Sequence, residues 1–364
     1  MRLLHCGDIH LDSRFTSYLS EEKAAERRGE LMQAFKSMLK LGSQKKVDGV
    51  IIAGDLFDSD NSSRFTRDIV LSEIRQHSEM TFFYLRGNHD KGFETGELPE
   101  NLCLFGDEWT KYAFKTRGRR IVIAGAEAGK RGVTQLAREL KLKQNDINVV
   151  VLHGQTRDYE GGNDLQTIPL SLLKDKNIDY LALGHIHEYS KEKLDSRGSY
   201  CYCGCLEGRG FDECGAKGAV LLDIDEIKGQ IESSFIPMSM RIYYDCQVDI
   251  TGLSVQTELE EEIKHSFDKA GAREEDLVKL SLVGEADSSF AINKEYLERV
   301  YENRFYYFKI KDMTRVARSD NTLGEASLGG EFLRLLNNRE DLTQEQKSRV
   351  ARLGLGLLSG ENIF

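Results

Sequence analysis

Gly87-Asn88-His89-Asp90 follows the apolar run Thr81-Phe82-Phe83-Tyr84-Leu85, so a predicted buried strand delivers an amide oxygen, an imidazole and a carboxylate to one tight loop. Four other stretches repeat the arrangement: Asp8-Ile9-His10, Gly54-Asp55-Leu56-Phe57-Asp58, His153-Gly154 and Gly184-His185-Ile186-His187. Taken singly, none means much. Asp-x-His is common, Gly-Asp-x-x-Asp is more often a turn or a helix cap, and a lone histidine after apolar residues is usually a satisfied core residue. As a set they differ, because five of the eight histidines fall in one ordered series, each behind an apolar run. His5, His77 and His265 lie outside it and are read as ordinary.

Carboxylates, imidazoles and an amide oxygen, with no thiolate among them, suit divalent manganese, iron or zinc. Asp8, His10 and His187 can form one ion site, and Asn88, His153 and His185 another. Asp55, with two oxygens, can bridge them. Two ions ~3.5–4 Å apart can clamp a phosphodiester and share a bridging hydroxide. His89 is adjacent to a candidate ligand but diverges from it on a turn, so it can face substrate and protonate the leaving oxygen or stabilise the transition state. Asp90 or Asp58 could hold its ring. Glycines 54, 87, 154 and 184 let the backbone turn sharply beside the ions.

These loops need strands to carry them. Residues 47–53 read as a second buried strand, and Leu31, Ala34, Phe35, Met38 and Leu39 recur at helical spacing before it, giving a βαβ unit and a parallel pair. Residues 64–78 predict a helix with Phe65, Ile69, Val70 and Ile74 on one side. Residues 91–118 show no clear period and end in a basic cluster. Short strands follow at 121–125, 149–153, 180–184 and 200–204, with a helix through Val133, Leu136, Ala137 and Leu140 between the first two. Residues 219–224 and 231–236 predict a hairpin around Lys228-Gly229. The expectation is an α/β sandwich flanked by helices, with every motif at a strand's C-terminal end, where open α/β sheets place ligands. After Pro237 the pattern becomes β-α-β-α-β without any of the motifs, and two helices follow from Leu323. The predicted organisation is a catalytic domain over 1–239, a small α+β cap domain over 240–320 and a helical segment over 321–364.

The chain has 364 residues, enough for more than one domain. It enters a strand at once, without a basic-then-apolar leader, and has no apolar run long enough to span a membrane, which gives a cytoplasmic expectation. Seven cysteines without a secreted framework predict reduced thiols. Cys201, Cys203 and Cys205 alternate along a predicted strand but lack the paired spacing of structural zinc. A net charge of −10 argues against a broad basic DNA-binding surface. It does not argue against a local groove or a DNA-holding partner.

The ordered motifs resemble those of the calcineurin-like metallophosphoesterase superfamily and, within it, the SbcD-type DNA repair nucleases, especially their YhaO branch. Cys6-Gly7-Asp8-Ile9-His10-Leu11-Asp12, Gly54-Asp55-Leu56-Phe57-Asp58 and the segment Tyr202-Cys203-Gly204-Cys205-Leu206-Glu207-Gly208-Arg209-Gly210-Phe211-Asp212-Glu213 carry the likeness. It is strong to about residue 237 and weaker beyond, and Cys203 departs from it where such nucleases usually have proline. The resemblance implies the metallophosphoesterase sandwich, two manganese ions on the seven ligand positions given above, His89 as the transition-state histidine, and nuclease action on DNA ends. It also implies an SMC-like coiled-coil ATPase as partner, for which the apolar faces over 323–358 offer a dock, and it leaves room for a homodimer.

Two other functions compete. A small-molecule or nucleotide phosphodiesterase or phosphatase on the same fold would use the same ions. A scaffold that has lost its metals would not keep seven ligand positions. Within the acidic chain, residues 303–319 are locally basic: Lys309, Lys311, Arg315 and Arg318 are candidate DNA contacts. On a strand, Phe305 and Tyr307 would share a face with Lys309 and Lys311, and that face is expected to help hold duplex DNA over the metals.

Overall fold

The structure is a computed structural model that describes residues 1–58, 62–90, 97–129, 131–156, 167–286, 290, 292–316 and 328–358. It divides into two compact units, Met1–Met240 and Arg241–Phe364.

The first unit runs β1 (Arg2–Cys6), α1 (Glu21–Gln44), β2 (Gly49–Ala53), α2 (Arg64–Gln76), β3 (Thr81–Leu85) and β4 (Leu102–Leu104). It continues through β5 (Thr110–Phe114), β6 (Ile121–Gly125), α3 (Gly132–Glu139), β7 (Ile147–His153), the short pair β8 (Gln155–Thr156) and β9 (Thr167–Ile168), and α4 (Leu170–Leu173). It closes with β10 (Tyr180–Gly184), β11 (Ser190–Lys193), β12 (Ser199–Tyr202), β13 (Gly218–Asp225) and β14 (Gln230–Pro237). Two six-stranded sheets result, ordered β14-β13-β1-β2-β3-β4 and β11-β12-β10-β7-β6-β5. Within them β1, β2, β3 and β4 are parallel, as are β6, β7, β10 and β12, whereas β13, β14, β5 and β11 run antiparallel at the flanks.

The alternation of each strand builds the layers. Leu3, Ile51, Ala53, Phe83 and Leu85 of one sheet meet Ile123, Val149, Val151, Tyr180 and Ala182 of the other in a single inter-sheet core. The opposite face of the second sheet, with Val150, Leu152, Leu181 and Leu183, packs on Val133 and Ala137 of α3 and Leu173 of α4. Strands buried on both faces are apolar throughout, which is why β2, β6, β7 and β10 read as continuous apolar runs. Helix α1 starts at Ser20, whose side chain caps the Lys23 N–H, and buries Leu31, Phe35, Met38 and Leu39. In α2 the buried line is Thr66, Val70 and Ile74, and Phe65 is exposed, contrary to the expectation. The reason is local: the Thr66 hydroxyl donates to Asp12 Oδ1 at 2.7 Å, which turns the first helical turn toward the Asp12 loop.

None of the seven cysteines is in a disulfide. Strand β12 stops at Tyr202, so Cys203 and Cys205 lie on the following loop rather than along a strand with Cys201. All three are buried, and burial pushes the Cys201 thiol up to about 11.

His5 lies in the inter-sheet layer, fully buried, with Nδ1 3.0 Å from the Tyr180 hydroxyl. Burial lowers its pKa to about 3. An unfolded chain therefore binds a proton here between about pH 6.5 and 3 that the folded chain refuses, so stability falls as pH falls through that window. The expected slope from this residue is ~1.4 kcal/mol per pH unit. Urea midpoints of chelator-treated wild type and His5→Gln at pH 4 to 7 test it. Parallel pH dependence in the two proteins would remove His5 as the cause.

The second unit contains β15 (Tyr243–Asp249), α5 (Gln256–Ala270), β16 (Leu277–Val283), β17 (Glu285–Ala286), α6 (Lys294–Glu302), β18 (Tyr307–Asp312), β19 (Arg315–Val316), α7 (Leu328–Asn337) and α8 (Gln344–Leu358). Strands β15, β16 and β18 form a parallel sheet. Leu259, Ile263 and Phe267 of α5 and Leu297 and Tyr301 of α6 pack on it. Helix α5 ends at Gly271 with φ 71°, a left-handed cap that glycine supplies without strain.

Candidate metal centre

Each motif sits where a parallel strand ends. The β1 and β2 loops are zipped together: Asp8 N–H donates to Gly54 O at 2.9 Å, His10 N–H to Asp55 O at 3.0 Å and Leu11 N–H to Leu56 O at 3.0 Å. This ladder holds Asp8, His10 and Asp55 at φ 48°, 48° and 49°, and His185 lies at 97°. Left-handed backbone costs a non-glycine residue on the order of 1–3 kcal/mol and persists where the surroundings over-determine it. Four candidate ligands in that region mark the loops as strained for a purpose. The glycines act in two ways. Gly54 has φ 96° and makes a turn. Gly87 and Gly184 serve close approach instead, because a Cβ on Gly87 would meet Asp55 Oδ1 at 2.1 Å and one on Gly184 would meet Ala53 O at 2.0 Å.

The two sheets meet at these loops. The His185 N–H lies 2.9 and 2.8 Å from the two oxygens of the buried Asp8. Asp55 accepts the His89 N–H on Oδ1 at 2.9 Å. Its Oδ2 faces two imidazoles, His153 Nε2 at 3.3 Å and His10 Nε2 at 3.8 Å. The donor atoms of Asp8, His10 and His187 lie within 4.8 Å of one another, as do those of Asp8, Asp55 and His153. The Asn88 oxygen is 2.9 Å from His153 Nε2, and the His185 ring stands edge-on to His153 with centroids 5.2 Å apart. All seven candidate ligands are thus linked, pair by pair, at the ends of the parallel strands.

This donor set fits divalent cations on its own hydrogen bonding. His153 Nδ1 lies 2.9 Å from the Ala53 carbonyl, so its N–H is there, and in the neutral ring Nε2 carries the lone pair. In that form the lone pair faces the Asn88 oxygen and Asp55 Oδ2, three acceptors around a place that a cation must fill, either a metal ion or a proton. Both ring nitrogens of buried His10 lack a hydrogen-bond partner among the described residues. Burial and the charge of Arg209 keep His10 neutral, down to about 2, and burial with His153 takes His185 to about 4. Neutral imidazoles are the form that ligates metal. Burial lowers His153 as well, but the hydrogen bond and charge of Asp55 outweigh it and raise the group to about 9. Without an ion, a proton takes that place. Burial pushes the Asp8 carboxyl up to about 6.

His89 Nδ1 is 3.8 Å from Asp58 Oδ1, and the His89 side chain is 40% exposed. Asp90 is turned inward: its oxygens accept the Phe57 and Gly87 N–H groups, each at 2.9 Å, so it holds the loop backbone while Asp58 faces the ring. His10, Asp58 and His89 also bring donor atoms within 4.8 Å of one another. Two residues with no role in the sequence reading stand behind His187. Glu213 Oε1 is 2.6 Å from His187 Nδ1, and Arg209 Nη2 is 2.8 Å from the same oxygen. The segment that holds them entered the sequence reading only through its likeness, because a Gly-rich polar stretch has no periodicity to announce a fold-back.

In the second unit, Lys309 and Lys311 are exposed on one face of β18, and Arg315 is exposed in β19. Arg318 lies outside the described residues. Phe305 does not share the lysine face. The strand begins at Tyr307, so Phe305 precedes it and packs into the core against Phe267, with centroids 5.1 Å apart. Tyr306 instead lies under the Arg241 guanidinium, 3.6 Å from its ring centroid.

The family model for calcineurin-like phosphoesterases matches residues 1–189. Similar proteins include the uncharacterized metallophosphoesterase YhaO of Bacillus subtilis, 28% identical over 280 residues, covering 74% of this chain and 68% of that protein. The DNA double-strand break repair protein Mre11 of Sulfurisphaera tokodaii is 24% identical over 335 residues, covering 86% of this chain and 81% of Mre11. Mre11 of Methanopyrus kandleri is 22% identical over 346 residues, with 83% and 72% covered. The family match takes in more than half of the chain and every motif from Asp8 to His187, so this protein belongs to the calcineurin-like phosphoesterases, metal-dependent hydrolases that bind two divalent ions.

Proposed function

We propose that this chain is a manganese-dependent DNA nuclease that acts as an exonuclease in the cytoplasm. In this reading Asp8, His10 and His187 hold one ion and Asn88, His153 and His185 the other. The observation that carries it is Asp55, whose Oδ2 stands between His153 Nε2 at 3.3 Å and His10 Nε2 at 3.8 Å, the position of a shared ligand. Two bound ions would polarise a phosphoryl oxygen and lower the pKa of water between them. The chain supplies the rest. Asp8 and Asp55 set the negative charge of the cradle, and His10 and His185 stay neutral beside it. His89, part exposed and 3.8 Å from Asp58, would supply a proton to the leaving oxygen.

DNA as substrate is supported by the likeness to Mre11 proteins. That of Sulfurisphaera tokodaii covers 86% of the chain, and so reaches into the second unit, which holds none of the metal motifs. Lys309, Lys311, Arg315 and Arg318 would contact the phosphates. A coiled-coil SMC-like ATPase is the proposed partner, docking on α7 and α8, where Leu328, Leu335, Val350, Leu353 and Leu357 are exposed.

The test is a panel with manganese added: linear duplex DNA, single-stranded DNA, a cyclic dinucleotide and a chromogenic phosphodiester. Degradation of DNA from its ends is expected. In Lys309→Glu/Lys311→Glu/Arg315→Glu the log–log salt slope of DNA binding should flatten by ~0.9 for each phosphate no longer neutralised, with chromogenic turnover unchanged. Turnover of the cyclic dinucleotide with intact DNA would place this chain among small-molecule phosphodiesterases instead.

A further inference from the structure

His187 closes the last of the strand-end motifs, and an ion pair with a buried carboxylate and a part-buried guanidinium approaches its ring from behind. Glu213 Oε1 lies 2.6 Å from Nδ1. Arg209 Nη2 lies 2.8 Å from that oxygen and 3.0 Å from Nδ1. The second carboxylate oxygen of Glu213 accepts the Arg209 N–H at 2.8 Å.

The segment that carries this pair is itself pinned. Glu207 and Arg27, both with fully buried side chains, pair at 3.0 Å. Arg27 also donates to Gly208 O at 3.0 Å, and the Tyr18 hydroxyl donates to Arg209 O at 3.0 Å. From the other side, Lys217 Nζ donates to the His187 carbonyl at 3.0 Å. A carboxylate 2.6 Å from an imidazole nitrogen takes that nitrogen's N–H as a charge-assisted bond. The proton is then fixed on Nδ1 and the lone pair on Nε2, and the ring cannot rotate without breaking the bond.

We propose that Glu213 is the positioning residue of His187 and that Arg209 is its counter-ion: the pair fixes the imidazole tautomer and aims Nε2 at the ion shared with Asp8 and His10. The proposal rests on the reading of those three residues as one ion site. It assigns a job to two residues outside the ligand set. It also makes the two sites unlike, because the corresponding bond of His153 goes to a neutral carbonyl, that of Ala53. Arg209 keeps the buried carboxylate from standing unpaired. Loss of Glu213 should therefore reach one ion and spare the other.

The experiment uses full-length protein with 15N-labelled histidine, the His187 signals being assigned from a His187→Gln sample. In metal-free wild type, long-range proton–nitrogen spectra should show His187 as the Nδ1–H tautomer. In Glu213→Ala the Nε2–H form should appear, and calorimetric titration with manganese should show ~10–100-fold weaker binding of one equivalent, the other unchanged. If Glu213→Ala fails to fold, Glu213→Leu/Arg209→Leu, which leaves no buried charge unpaired, takes its place with the same expectations. A wild-type His187 in the Nε2–H form overturns the proposal without any variant. So does a folded variant that keeps both the tautomer and both affinities. Wild type that binds no manganese would instead overturn the two-ion reading on which the proposal rests.

Discussion

Asp55→Asn is expected to weaken both ion sites together, by roughly 100-fold or more each, beyond the 10–100-fold that outer-shell changes cost. Turnover should fall to background. One oxygen of Asp55 accepts the His89 N–H, and an asparagine oxygen can keep that bond. The amide NH2 then occupies the place of Oδ2, where it can donate to the His153 Nε2 lone pair 3.3 Å away. The substitution keeps the volume, satisfies His153 and removes one of the cradle's two negative charges, so the protein should fold while the cradle attracts cations far less. His187→Ala, by contrast, should affect one ion. Metal content by plasma emission and turnover of the chromogenic diester give the answer. Two tightly held equivalents in Asp55→Asn, with full turnover, would end the shared-ligand assignment.

His89→Ala should keep both ions and DNA binding and lose turnover by ~10²–10⁴, the reach of one positioned acid or base. What ties His89 to the cradle is its backbone N–H to Asp55, which alanine retains. The imidazole itself is part exposed and backed by Asp58. A rival reading has a geometric basis, because His10, Asp58 and His89 bring donor atoms within 4.8 Å of one another. Manganese stoichiometry separates the two. A variant that loses an ion makes His89 a ligand; one that loses only turnover makes it an acid.

What could be read from the sequence, and what could not, follows from local physics. The α/β sandwich was legible because β2, β3, β7 and β10 are buried on both faces and therefore uniformly apolar, and because every polar motif begins where such a run stops. Of the flanking strands, β13 and β14 were legible as a hairpin, whereas β5 and β11 were not. Ser190–Lys193 carries mostly exposed charged residues and pairs only on one side, so nothing in its pattern distinguishes it from a loop. Asp90 was a candidate support for His89 on proximity alone, and only the folded loop reveals that both its oxygens are taken by backbone N–H groups. Glu213 and Arg209 escaped because their meaning depends on a Gly-rich segment folding back on His187, a long-range approach with no local signature. Phe305 was misread for a simpler reason. Alternation assigns faces only within a strand, and the chain enters β18 two residues later than its aromatic run begins.

The sheet order has a bearing on how the protein is made. Strand β1, which feeds the loop of Asp8 and His10, lies between β2 and β13, and β13 begins only at Gly218. A ribosome adding ~5–20 residues per second needs roughly 10–40 s to travel from the first motif to that strand and the Glu213 turn before it. Until then the nascent chain displays Asp8 and His10, and Asp55 once it is made, while one edge of β1 has no neighbour and the Glu213 turn that meets His187 is not yet present. The topology thus lets the cradle close only as one of the last events in the synthesis of the first unit.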